Sequence, residues 1–199
     1  MSEKSIEFSC RCSSFSGRLH IPDNQIGFHV ICYCCDCQKF NRKLESSFNK
    51  LDEHGGTVLY QTRPSFYKID SGQEFVRCYS HQPNGLHRWY TACCNSHIAN
   101  TMGKSSIPFI GIPLTIFKLK EGKAEENFGK IGLKAFAKYA EPKNPIGAHQ
   151  TFPKSYMFKI IPFMIMGMIK GLAKPHPFYK KDGSALAEPS VGNLSITPT

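Results

Sequence analysis

Cys32-Tyr33-Cys34-Cys35-Asp36-Cys37-Gln38 crowds four sulfurs into six residues, between an apolar run at 27–31 and a stretch with helical spacing. The run reads as a short strand. Beyond the cysteines, Phe40, Leu44 and Phe48 recur at i, i+4 and i+8, which predicts a helix over 36–50. A strand turning tightly into a helix can aim several thiolates at one ion, about 2.3 Å from each sulfur. Cys32, Cys34 and Cys37 form a C-x-C-x-x-C trio. Cys35 intervenes, and it and the solitary Cys78 read as small buried hydrophobes.

Outward from this corner the first 120 residues read as strands. Residues 5–8 and 17–21 alternate polar and apolar, the second run ending at Pro22. Further strands are predicted at 57–61, 65–69, 74–79 and 86–91, the last two joined through Asn84-Gly85, a strong hairpin signal. Residues 107–119 form an apolar, β-rich run broken by Pro113. Near Glu121 the character changes: a helix is predicted over 131–140, then Pro142 and Pro145, an apolar segment at 160–173 and a loose tail. The expected fold is mainly β (α+β), with antiparallel strands over 1–120. A helical C-terminal extension over 121–199 packs on the same domain.

Cys10 and Cys12 share one strand face and need further ligands from elsewhere. The adjacent pair Cys93-Cys94 can complete a four-sulfur shell, although neighbouring residues share an ion only with a strained backbone. Two metal sites are therefore expected: a closed, structural one with Cys10, Cys12, Cys93 and Cys94, and an open one at Cys32, Cys34 and Cys37. Zn2+ is the default metal for thiolates in a reducing compartment, with iron–sulfur as its rival.

Nine cysteines behind a polar N-terminus with no signal peptide suit a cytoplasmic location. The 199 residues are 41% hydrophobic and 20% charged, which excludes a disordered chain. The formal charge is +10, falling to about +7 if seven thiolates hold two zinc ions. Such a balance draws anionic partners: nucleic acid, acidic lipid or a small anionic substrate. The segment 160–173 is too short to span a bilayer and reads as a buried or groove-docked helix. An interfacial alternative over 154–174 would use Lys154, Lys159, Lys170 and Lys174. Met164, Met166 and Met168 read as adaptable packing.

These motifs resemble the glutathione-dependent formaldehyde-activating enzymes and their relatives, which include centromere protein V. The pattern there is C-x-C-G, then C-x-C-x-x-C followed by Gln or Arg, then an aromatic strand into C-x-x-C-G. This chain carries Cys10-Arg11-Cys12-Ser13, the stretch from Cys32 to Gln38, and Arg88-Trp89-Tyr90-Thr91-Ala92-Cys93-Cys94-Asn95-Ser96. The resemblance covers roughly residues 5 to 118. It implies an Mss4-like β-tent with one structural zinc and a second, labile one. Cys34 would be the catalytic residue that exchanges with an incoming thiol, the partner being glutathione and the substrate S-hydroxymethylglutathione. Thr91 stands where a ligand Cys belongs, and Ser13 and Asn95 replace glycines. Either Cys93 or His97 is then the substitute fourth ligand.

The first functional expectation is a zinc-dependent carbon–sulfur lyase activity, with Arg42, Lys43, Arg63 and Arg77 as candidates for drawing in an anionic thiol. Its rival is a non-catalytic zinc module whose basic surface engages nucleic acid or another anionic partner. No Ser/His/Asp series or paired-carboxylate motif is present, so the metal would carry the chemistry.

Overall fold

The computed structural model describes residues 4–22, 27–120 and 122–192. The polar start at 1–3 and the end of the tail at 193–199 lie outside the described residues. Strand β1 (Lys4–Ser9) pairs antiparallel with β2 (Ser16–Ile21), and β5 (Tyr67–Ser71) joins the far side of β2 to complete a three-stranded sheet. Phe8 lies opposite Gly17. A Cβ at Gly17 would fall 2.1 Å from the Lys68 carbonyl oxygen and 2.4 Å from the Phe8 ring. Glycine there lets Phe8 stack on Tyr67 with centroids 4.3 Å apart.

The second sheet contains β3 (Phe28–Cys32), β4 (Thr57–Thr62), β6 (Val76–Ser80), β7 (His87–Thr91), β8 (His97–Thr101) and β9 (Ile110–Pro113). Two short strands, β10 (Leu133–Ala135) and β11 (Pro189–Val191), complete it in the order β10-β3-β4-β9-β8-β7-β6-β11. Its inner pairings are antiparallel, while β10 on β3 and β11 on β6 run parallel. One core joins both sheets, with Phe8, Leu19 and Tyr67 meeting Trp89, Ile98, Ile110 and Ile112. Trp89 is fully enclosed, stacks on Phe178 at 4.8 Å and donates from Nε1 to Thr101 Oγ1 at 2.8 Å. Among the described residues, three α-helices complete the α+β class: α1 (Cys35–Lys43), α2 (Ala124–Phe128) and α3 (Met157–Ile169).

Several expectations change. The helix predicted over 36–50 stops at Lys43, because Glu45 takes a left-handed φ of 49° and the following serines favour turns. Residues 131–140 are strand β10 and a 3-10 turn. Gly132 N–H donates to His29 O, Leu133 and Ala135 enter a core with Val30 and Leu59, and Phe136 turns left-handed. Tertiary pairing overrides local helix propensity there. The extension past residue 120 is thus mixed, supplying both outer strands of the large sheet as well as α2 and α3. Strand β8 escapes a periodicity reading because all five of its residues are buried.

Arg63, expected among the residues that draw in an anionic thiol, is instead buried and structural. It is 3% exposed, donates to Pro108 O at 3.1 Å and to Phe163 O, and its guanidinium lies over the Phe163 ring. Burial lowers its pKa to about 10. Arg63 therefore docks α3, and a Cβ at Gly167 would lie 2.2 Å from its Nη1 and 2.8 Å from Pro108 Cβ. Among the described residues no helix is long and apolar enough to cross a membrane. Gly167→Ala should destabilise the protein by about 1–3 kcal/mol through this overpacking, read as a lower melting temperature together with faster amide exchange across α3.

Candidate metal centre

The first thiol cluster forms where two turns meet. After β1 the chain folds back, with Cys10 N–H donating to Phe15 O at 2.9 Å and Phe15 N–H donating to Cys10 Sγ at 3.3 Å. After β7 a second turn is closed by Asn95 N–H on Thr91 O at 2.9 Å. Ser13 and Asn95, the two departures from glycine, both adopt left-handed backbone, with φ of 63° and 52°. Asparagine tolerates that region better than most residues. Both turns thus keep the conformation a glycine would supply.

These turns bring Cys10, Cys12, Cys93 and Cys94 together, with all four Sγ atoms within 4.8 Å of one another. Cys12 and Cys93 are 3.3 Å apart, Cys10 and Cys12 3.6 Å, and Cys10 and Cys93 3.8 Å. A tetrahedral ion with bonds of about 2.3 Å separates its sulfurs by about 3.8 Å, so the donor set fits one ion. Thr91 Oγ1 is 3.5 Å from Cys94 Sγ and accepts the Ser96 N–H. It therefore supports the turn, while Cys93 stands among the sulfurs. Burial raises Cys10 to about 11. Cys94, against its own burial, is lowered to about 6 by bonds with the Ser96 and Thr91 hydroxyls.

The second cluster sits at the β3–α1 corner. Cys32 ends β3, Cys34 is the N-cap of α1 and Cys37 lies in its first turn, their sulfurs within 4.8 Å of one another. Cys34 Sγ accepts the Cys37 N–H at 3.4 Å, so the helix start favours a thiolate there. Bonds from the Cys32 and Cys37 thiols lower Cys34 to about 2. Its bond to Cys34 leads the causes that raise Cys32 well above normal. Cys37, which its bond with Cys32 alone would lower, is pushed to about 12 by its bond to Cys34 and by burial. Three close thiols thus share one negative charge until a metal takes up the rest.

A second layer fixes this corner. Gln38 Nε2 donates to Tyr33 O at 2.7 Å and Tyr139 O at 2.8 Å. Asn41 Nδ2 donates to Cys37 O at 2.9 Å and Thr57 Oγ1 at 3.1 Å, and Asn41 Oδ1 accepts from His97 Nδ1 at 3.0 Å. Burial lowers His97 to about 3, and its Nε2 lies 3.1 Å from Asn100 Oδ1. His97 therefore braces the trio's helix and lies outside the four-sulfur group. His81 Nε2 donates to Asp36 O at 3.0 Å.

Arg88 lies on the aromatic strand β7. It is 4% exposed, donates from Nη1 to Leu86 O, has no partner for Nε, and its charge favours the thiolates of Cys34 and Cys37. An arginine within a strand of uniformly buried residues is the signal that marks it. Arg42, Lys43 and Arg77 are exposed. Cys78 is buried in the core, whereas Cys35 is half-exposed and joins neither cluster. The two clusters could hold metal ions.

A family model described as a family of unknown function, DUF6151, matches residues 1–189. The chain belongs to that family. No curated protein matches it. Among solved structures, a crystal structure of a Rhodobacter sphaeroides protein aligns with a TM-score of 0.42 and 15% identity, over 63% of this chain and 97% of that one.

At neutral pH the trio enters metal binding with Cys34 ionised and Cys32 and Cys37 protonated. Metal uptake there should release about two protons, so affinity weakens as pH falls. Calorimetry in buffers of different ionisation enthalpy measures that number. Cys93→Ser should lower bound metal by one equivalent and cost about 3 kcal/mol or more of stability. His97→Gln should leave the metal content of the four-sulfur group unchanged, as elemental analysis would show.

Proposed function

We propose that this member of DUF6151 is a two-zinc protein with an Mss4-like tent. Its middle site would act on small thiols in the manner of the glutathione-dependent formaldehyde-activating enzymes. The observation that carries this reading is the asymmetry of the two donor sets. Four sulfurs close one group, while three sulfurs at a helix start have no fourth His, Cys, Asp or Glu in their group among the described residues. Closed sets suit structural zinc, and three protein ligands suit a reactive one. Sulfurs 3.3 to 3.8 Å apart favour a single ion over a cluster that spreads its cysteines across several irons.

Cys10, Cys12, Cys93 and Cys94 would hold the structural zinc, and Cys32, Cys34 and Cys37 the other. Zinc at the trio would supply a Lewis acid that keeps an incoming thiol in its thiolate form. The chain's own groups do the remaining work. Cys34 is half-exposed at the α1 N-cap and is the residue placed to exchange with that thiol. Arg88 offsets the surplus negative charge of three thiolates on a divalent ion. Gln38 and Asn41 hold the loop and the first turn rigid from behind. The fold's positive charge favours an anionic thiol such as glutathione. The reaction would be making or breaking the carbon–sulfur bond of S-hydroxymethylglutathione.

The test compares wild type with Cys34→Ala. Wild type should bind two zinc equivalents, change its absorption on glutathione addition when loaded with cobalt, and speed glutathione–formaldehyde exchange. Cys34→Ala should keep the structural metal and lose the other two responses. Two tightly bound zincs with no response to any thiol would remove the enzymatic reading.

A further inference from the structure

Helix α3 is apolar on two opposite sides. At 100° per residue, Tyr156, Ile160, Phe163 and Gly167 form one stripe. That stripe is docked: Phe163 packs on Phe28 at 5.0 Å, Tyr156 packs on Phe28 at 5.7 Å, and Gly167 meets Arg63. Phe158, Ile161, Ile165, Met168 and Ile169 form the opposite stripe and face outward. Phe158 is 83% exposed and Ile169 74%. Exposing such a row in water is unfavourable, and a contiguous patch of this kind marks an interaction surface.

The surrounding charge says what covers it. From Pro142 to Lys181 the chain carries seven lysines and no Asp or Glu. Lys154, Lys159, Lys170 and Lys174 border α3, all exposed. Lys174, Lys180 and Lys181 line a cleft of about 670 Å³ that follows the helix. A second copy of the chain on this face would bring two such lysine-rich segments together, at a cost in repulsion. An anionic surface relieves that charge. The helix has 13 residues, a rise of about 20 Å against a hydrocarbon core of about 30 Å, so it is built to lie in the surface plane.

We propose that the outer stripe of α3, with its flanking lysines, is a docking site for an anionic lipid bilayer surface. Phe158 and Ile169 enter the headgroup–acyl boundary, and the lysines pair with acidic headgroups. This site is independent of the thiol centres.

Flotation of the full-length protein tests it, with vesicles of phosphatidylcholine alone or containing one part in three of phosphatidylserine, at low and high salt. Wild type should float with the anionic vesicles only, and less so at high salt. The double variant Phe158→Glu/Ile169→Glu should lose roughly tenfold or more in binding. Lys159→Glu/Lys170→Glu should lose roughly fivefold per lysine. Circular dichroism and metal content, unchanged in both variants, show that each is folded. Absence of wild-type flotation, equal flotation with neutral vesicles, or undiminished binding by the folded double variants would each overturn the proposal. So would a stable wild-type dimer that Phe158→Glu/Ile169→Glu turns into monomer, since the face would then belong to self-association.

Discussion

Cys10 and Cys93 are 83 positions apart in the chain, yet their sulfurs lie 3.8 Å from each other. That juxtaposition presses the end of β1 against the turn after β7 and so locks the small sheet onto the large one. Arg11 N–H, donating to Ser96 Oγ at 3.1 Å, reinforces the same seam. An ion held across it would close a loop of that length in the unfolded chain too, a restriction of about 4–5 kcal/mol in the chain-entropy picture. Without such a link, the four thiols add little to the apolar core that the two sheets share.

The two thiol centres are coupled through a single short connection. The turn at 93–96 gives two sulfurs to one cluster, and the next residue, His97, begins β8 and reaches the other through Asn41. Asn49 spans the same region, accepting the His97 N–H at 2.8 Å and donating to Asn95 O at 2.6 Å. A shift in the first site therefore moves the residue that braces the second. Buried polar groups in such a chain are satisfied only in one arrangement, which makes the register of β8 specific.

The thiol motifs were legible because their geometry is local: a C-x-C-x-x-C at a strand-to-helix corner needs few distant contacts to converge. Pairing the first motif with Cys93-Cys94 was an expectation, and the structure brings those sulfurs together. The choice between Cys93 and His97 was open in the sequence, because ligand spacing alone does not show which side chain faces the seam. Strands with polar–apolar alternation, such as β1 and β2, were equally readable. Strand β8 was not, since a strand covered on both faces loses its period. Short β10 gave no signal of its own and exists because β3 offers it an edge. Arg63 and Arg88 were misjudged or passed over for one reason, that composition treats arginine as surface. Helix α3 was visible as a segment, but with apolar residues all round it the spacing could not say which stripe docks.

Both outer edges of the eight-stranded sheet are closed by residues from the last third of the chain, Leu133–Ala135 against β3 and Pro189–Val191 against β6. During synthesis from the N-terminus, the strands carrying Cys32 and Cys78 emerge well before their outermost neighbours. Until those segments arrive, β3 and β6 present unpaired backbone groups to the cell, the kind of edge that recruits another chain. The order of manufacture thus leaves the cysteine-bearing strands in need of shelter, and the final short strand, only three residues long, is what ends that interval.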